Sequence, residues 1–90
     1  MLKTTFPLGQ LLITPGARDT LDQMDVIRAV QAHRTCDWGI VCEEDWAVND
    51  EALATGGRIL SAYRDRNDNK FWIITEWDRS ATTILLPDEY

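Results

Sequence analysis

Hydrophobic positions along this chain follow two different periods, and the switches between them mark its elements. Leu11, Leu12 and Ile13 form a short apolar run that meets Pro15-Gly16. This predicts a strand over Leu8 to Thr14 and a type II turn after it, because glycine accepts positive φ. Leu21, Met24, Ile27 and Val30 then recur at three-residue steps, with Val26 widening the stripe and Asp19 or Thr20 placed to cap a helix. Asp19, Asp22 and Asp25 near its start, and Arg28, His33 and Arg34 toward its end, match the helix dipole at both poles. The segment Thr35 to Gly39 ends this helix, with Gly39 suited to a left-handed or close-approach position.

A second helix is predicted from Glu43 to Thr55, a stretch without Pro or Gly that opens on three acids and ends at Gly56-Gly57. Trp46, Val48, Leu53 and small alanines give it one narrow apolar face, and Asn49 falls on that face. A buried amide there needs a hydrogen bond to neighbouring backbone. From Arg58 onward the period changes to two. Ile59, Ser61 and Tyr63 alternate with Leu60, Ala62 and Arg64, and Phe71, Ile73, Thr75 and Trp77 alternate with Trp72, Ile74 and Glu76.

The polar connector Arg66 to Lys70 makes these two runs a hairpin, and Asp78-Arg79-Ser80 turns the chain into a last strand from Thr82 to Leu86 that Pro87 stops. Consecutive strands usually pair as neighbours. The pattern therefore predicts one α+β domain over residues 1–90. Its sheet is antiparallel, with three to four strands, the Phe71–Trp77 strand central and the Leu8–Thr14 strand at an edge. Two helices pack on one face.

Composition adds constraints. At 90 residues and 44% hydrophobic the chain has room for one core and lies outside the range of disordered sequences. A formal net charge of −6 argues against direct nucleic-acid binding, which needs a basic surface, and suits a basic or nucleic-acid-binding protein partner. No run approaches the roughly 18 consecutive apolar residues of a membrane span, and the Met1–Pro7 start lacks the apolar run of an export signal. These features predict a cytoplasmic protein with Cys36 and Cys42 as free thiols. Four tryptophans exceed what one small core readily absorbs, so a partner interface or a homodimer is expected. Trp72 and Ile74, on the sheet face opposite Phe71 and Ile73, are its candidates. Arg79 lies in a turn beside Trp77, where loop residues often serve binding. Glu43, Glu44, Asp45, Asp50 and Glu51 line one helix as either a solvated face or a docking site for a basic partner.

Candidate chemistry is sparse. His33, Cys36, Asp37 and Cys42 supply zinc-type donors at a spacing that fits no common module. Cys36 or Cys42 with His33 as base would form a nucleophile pair, but Glu43, Glu44 and Asp45 oppose a thiolate at Cys42. His33, Asp37, Glu76 and Asp78 are the acid–base candidates. Gly56-Gly57 lacks the Lys-Ser/Thr of a phosphate loop, and no motif calls for a cofactor.

At Asp37-Trp38-Gly39, Asn49-Asp50, Ser61-Ala62-Tyr63, Trp72 to Glu76 and Asp78 to Pro87, the chain resembles a family of small uncharacterised proteins of bacterial plasmids and other mobile elements. The likeness covers residues 8–90 and often places Gly at the position of Cys36. It implies no activity or catalytic residue. Together these readings lead to the expectation of a non-enzymatic interaction protein of a mobile element that binds or inhibits a host defence complex. The alternatives are a small hydrolase or nuclease-like enzyme using His33 and Asp37, and a homodimeric regulatory subunit.

Overall fold

The computed structural model describes residues 5–90, so part of the Met1–Pro7 start lies outside the described residues. Strand β1 (Gln10–Ile13) leads into a short helix α1 (Pro15–Thr20), where a type II turn was expected. The physical reason is capping. Thr14 Oγ1 accepts from Ala17 N, and Pro15 occupies the first helical position, where its missing N–H costs nothing. The Glu89 carboxylate then accepts from Gly16 N (3.1 Å) and from the Thr14 hydroxyl (2.5 Å), satisfying a further donor at the helix start.

Helix α2 (Gln23–Arg34) is capped by Asp22, not by Asp19 or Thr20, through Asp25 N at 3.1 Å. Its buried side chains are Val26, Ala29 and His33. The expected stripe through Met24 and Ile27 is corrected: these are 54% and 55% exposed, because the inward face runs through His33. Helix α3 (Glu43–Thr55) ends as predicted at Gly56, whose φ of +83° is left-handed. It buries Asn49 and Ala52 and turns Val48 outward, against expectation. Strands β2 (Ile59–Arg64), β3 (Lys70–Thr75) and β4 (Ala81–Leu85) follow, and a 3-10 turn (Pro87–Glu89) closes the described chain.

The sheet order is β1-β4-β3-β2, with β3 central and β1 at an edge. The hairpin and the β3–β4 pair are antiparallel, but β1 runs parallel to β4, so the sheet is mixed and not wholly antiparallel. Parallel neighbours need a long crossover, and here the helices and the hairpin supply it. The register places Ile59, Phe71, Ile73 and Ile84 on one face. Against that face α1 and α2 contribute Ala17, Val26 and Ala29, while α3 and the loop before it contribute Ala52 and Trp38 to a second apolar cluster around Ile59 and Phe6.

The outer edge of β2 is closed by the chain itself. Asn49 Nδ2 donates to Leu60 O (2.7 Å) and Asn49 Oδ1 accepts from Leu60 N (3.2 Å), so one side chain does what a neighbouring strand would do. Two residues on, Ala62 N donates to Trp38 O and Ala62 O accepts from Ile40 N, forming a bridge at Gly39. Gly39 has φ +74°, and a Cβ there would overlap the Ala62 carbonyl oxygen. Asn49→Ala leaves both Leu60 backbone groups without this partner. It is expected to destabilise the fold by about 2 kcal/mol in urea unfolding, the usual cost of orphaned buried polar groups. A change of a few tenths would show that the edge groups find water at no cost.

Candidate functional site

The most buried polar feature is a hydrogen-bonded chain across the core. His33 is fully buried; its Nδ1 pairs with Ser61 Oγ and its Nε2 with Thr75 Oγ1 at 2.8 Å. Thr75 Oγ1 meets Thr82 Oγ1 at 2.7 Å, and Thr82 donates to Leu8 O at 2.7 Å. The direction of this chain assigns the tautomer. Thr82 has one hydrogen and gives it to Leu8 O, so Thr75 donates to Thr82, and Nε2–H of His33 donates to Thr75. Nδ1 is then the acceptor from the Ser61 hydroxyl. Phe6 and Trp38 pack edge-on to the imidazole, with ring centroids at 5.3 and 5.6 Å.

Burial is the main cause that lowers the His33 pKa from its ordinary 6.5 to about 4, with the nearby Arg79 guanidinium adding to it. The ring is neutral near pH 7 and sealed from solvent. Both its nitrogens are engaged, so His33 presents no free nitrogen to a zinc ion, a thiol or a substrate. Asp37 is exposed, and its carboxylate accepts from Gly39 N to close the turn. Among the described residues no three His, Cys, Asp or Glu side chains converge on a metal position. Cys36 is half-buried, and burial, followed by Asp50, pushes its thiol pKa up, away from a thiolate. Its φ of +67° lies in the left-handed region that favours glycine.

The residues expected to bind partners are dispersed. Glu43, Glu44, Asp45, Asp50 and Glu51 are exposed on α3 and enter no ion pair among the described residues. Asp50 accepts from Trp38 Nε1 at 3.0 Å. Trp72 lies on the outer sheet face, half-buried against the Tyr90 ring, which in turn carries the Arg58 guanidinium. Ile74, expected beside Trp72 at an interface, is 4% exposed within the single chain. Arg79, expected to bind a partner, is engaged within the chain. Its guanidinium donates to Ala52 O, Gly57 O and Glu76 O, joining the end of α3 to the β3–β4 turn.

A second polar cluster clasps the β2–β3 turn to the start of α2. Arg66 donates to both carboxylate oxygens of Asp25, and the Asp65 carboxylate accepts from Asp22 N, Asn67 N and Asn69 N. Burial alone would raise the Asp65 pKa; these bonds outweigh it and leave it lowered. Side-chain bonds from Arg66 lower Asp25 likewise. The shallow groove beside this clasp mixes Arg28, Arg64 and Arg66 with the carboxylates of Asp25, Asp37 and Asp65.

An apolar groove lies at the other side of α2. Leu11, Leu12 and Ile13 of β1 and Val26, Ile27 and Val30 of α2 line a groove of about 340 Å³, rimmed by Gln23 and Gln31. No charged side chain lines it. Gln10 N and Thr14 N point to β4, bonding Ser80 O and Ile84 O. By strand alternation the N–H and C=O of Leu11 and Ile13 point away from the sheet. Hydrophobic spacing concealed this surface, because Ile27 read as core. The signals available were the uncharged Gln10–Ile13 edge and the alternation that put Ser61 and Thr75 on the inner face, where a polar helix residue can pair with them.

Comparison with protein-family models, with curated proteins and with solved structures finds no match. Among the described residues no helix is long and apolar enough to cross a membrane.

Neutral His33 makes stability depend on pH in a defined window. Its folded pKa lies below its unfolded value, so below 6.5 the unfolded chain takes up a proton that the folded one refuses until about 4. Its contribution is complete above that window and is lost as pH falls through it, on the order of 3 kcal/mol in all. The carboxylates of Asp25, Asp65, Asp78 and Glu89, all lowered, act in the same direction only at lower pH. Denaturant unfolding between pH 7 and 4.5 is expected to show this slope in the wild type and to lose most of it in His33→Gln. A flat wild-type profile would contradict a buried neutral imidazole.

Proposed function

We propose that this protein is a non-enzymatic interaction module whose working surface is the apolar groove between β1 and α2. The observation that carries this reading is the exposure of Leu11, Leu12, Ile13 and Ile27, each 38% or more, side by side at a strand edge that no other described segment pairs. Apolar patches of this kind on small domains mark contact surfaces for other macromolecules. The sealing of His33 supports the same reading, since the chain's one imidazole cannot reach a substrate.

A second reading keeps the acidic helix as the docking site. Exposed Glu43, Glu44, Asp45 and Glu51, without ion-pair partners among the described residues, favour it, and they suit a basic or nucleic-acid-binding protein. The resemblance to mobile-element proteins would make that partner a component of host defence, and this part of the reading stands on the resemblance alone.

Site-specific photo-crosslinking separates the two. A photoreactive residue at position 27 is expected to give a protein adduct in bacterial cells, whereas one at position 44 gives none. An adduct at position 44 alone would transfer the function to α3, and silence at both positions would remove the interaction reading.

A further inference from the structure

The two edges of the sheet are treated differently by this sequence. The β2 edge is filled by the Asn49 side chain and by the Trp38–Ile40 segment. The β1 edge carries none of the usual guards among the described residues: Gln10–Ile13 contains no charge, no proline and no bulge, and no other described segment pairs with its outer side. An edge of this kind is a template for another strand.

The geometry points to a second copy of this chain as that strand, with β1 pairing antiparallel to β1 about a two-fold axis at Leu12. The proposal rests on the reading of the groove as a binding surface and names its occupant. Three observations lead there. First, the outward-facing backbone groups belong to Leu11 and Ile13, placed symmetrically about Leu12. An antiparallel pairing centred on Leu12 sets Leu11 of each copy opposite Ile13 of the other, so both residues exchange N–H and C=O bonds in both directions, and the two Leu12 side chains meet at the close, non-bonded position.

Second, a two-fold normal to the sheet keeps the helices of both copies on the same side. Leu11 and Ile13, which share the inner face with Ile84 and Thr82 by register, then meet their counterparts under the two α2 helices, where Ile27 is exposed. The result is a continuous eight-stranded sheet with one extended apolar layer.

Third, the charge distribution permits self-association here. The chain carries a net −6, yet the groove lining holds only apolar residues and Gln23 and Gln31. The acids of α3 lie beside β2, at the opposite edge, about 14 Å away at three strand spacings. A basic partner would find no counter-charge in this groove; a second copy meets no repulsion.

The test uses charge pairing across the axis. Leu12 is 40% exposed, so Leu12→Lys and Leu12→Glu are tolerated by the monomer fold, which near-ultraviolet circular dichroism verifies. Light scattering behind size exclusion, at tens of micromolar, is expected to give a dimer for the wild type and a monomer for each variant. An equimolar mixture of the two variants is expected to form dimers again, because Lys and Glu then face each other. Hydrogen exchange gives a readout without substitution: the Leu11 and Ile13 amides exchange slowly in the dimer and rapidly on dilution. A wild-type dimer that both variants retain, or a mixture that stays monomeric, overturns the β1 pairing. So does fast exchange at both amides at high concentration. A monomeric wild type whose position-27 crosslink still captures a different protein overturns the second copy and leaves the interaction module standing. A monomer with no adduct overturns both.

Discussion

The roll of α2 about its own axis follows from the hydrogen-bonded chain that runs from Ser61 through His33 to Thr75, Thr82 and Leu8 O. A helix advances about 100° per residue, so with His33 turned inward Val26 and Ala29 lie within about 40° of it, Ile27 about 120° away and Met24 on the far side. Burial agrees with that wheel: Val26 and Ala29 are core, and Met24 and Ile27 are more than half exposed. Asp25 and Arg28 fall on the opposite flank, where Asp25 receives the Arg66 clasp from the hairpin turn. One buried imidazole thus decides which flank of α2 is charged and which is apolar.

The same chain lies at the seam of two apolar clusters. His33 touches Phe6 and Trp38 of the α3-side cluster, while Thr75 neighbours Ile73 of the α2-side cluster. A polar chain in this position gives little net stabilisation, because each bond replaces one with water, but a mismatch would leave buried groups unsatisfied at about 1–3 kcal/mol each. No buried side-chain polar atom among the described residues is left without a partner. The arrangement therefore penalises any other roll or register of α2 on the sheet, and it explains why the chain's one histidine has no exposed surface.

Much of the architecture was readable from the residues. The period-two alternation located the hairpin, Gly56 ended α3 where glycine was needed, and Asn49 on an apolar face implied the backbone partners that it has at Leu60. Three things were not readable by the same route. Thr14-Pro15 looks like a turn entry and is a helix start, because the decisive acceptor, Glu89, comes from the far end of the chain. The parallel β1–β4 pair depends on a crossover whose path local pattern does not encode. The inward face of α2 was misplaced because spacing counts Met24 and Ile27 as core and a histidine as surface, whereas hydroxyls waiting at Ser61 and Thr75 reverse that order. Arg79 read as a turn residue placed for binding, and its guanidinium is bound to the carbonyls at the end of α3.

These features make an asymmetric sheet: one edge filled by Asn49 and carrying the acidic helix beside it, the other open, apolar and uncharged. The apolar flank beside the open edge follows from the orientation of α2, which turns Ile27 toward β1, and so from the buried state of His33. Long-range proton–nitrogen correlation spectroscopy of the imidazole reads that state directly. The structure requires a neutral ring with its proton on Nε2 and a bare Nδ1, unchanged as pH is lowered from 7 to 5. A proton on Nδ1, or an imidazole that titrates near 6.5 like a free histidine, would contradict the buried chain and the orientation of α2 that depends on it.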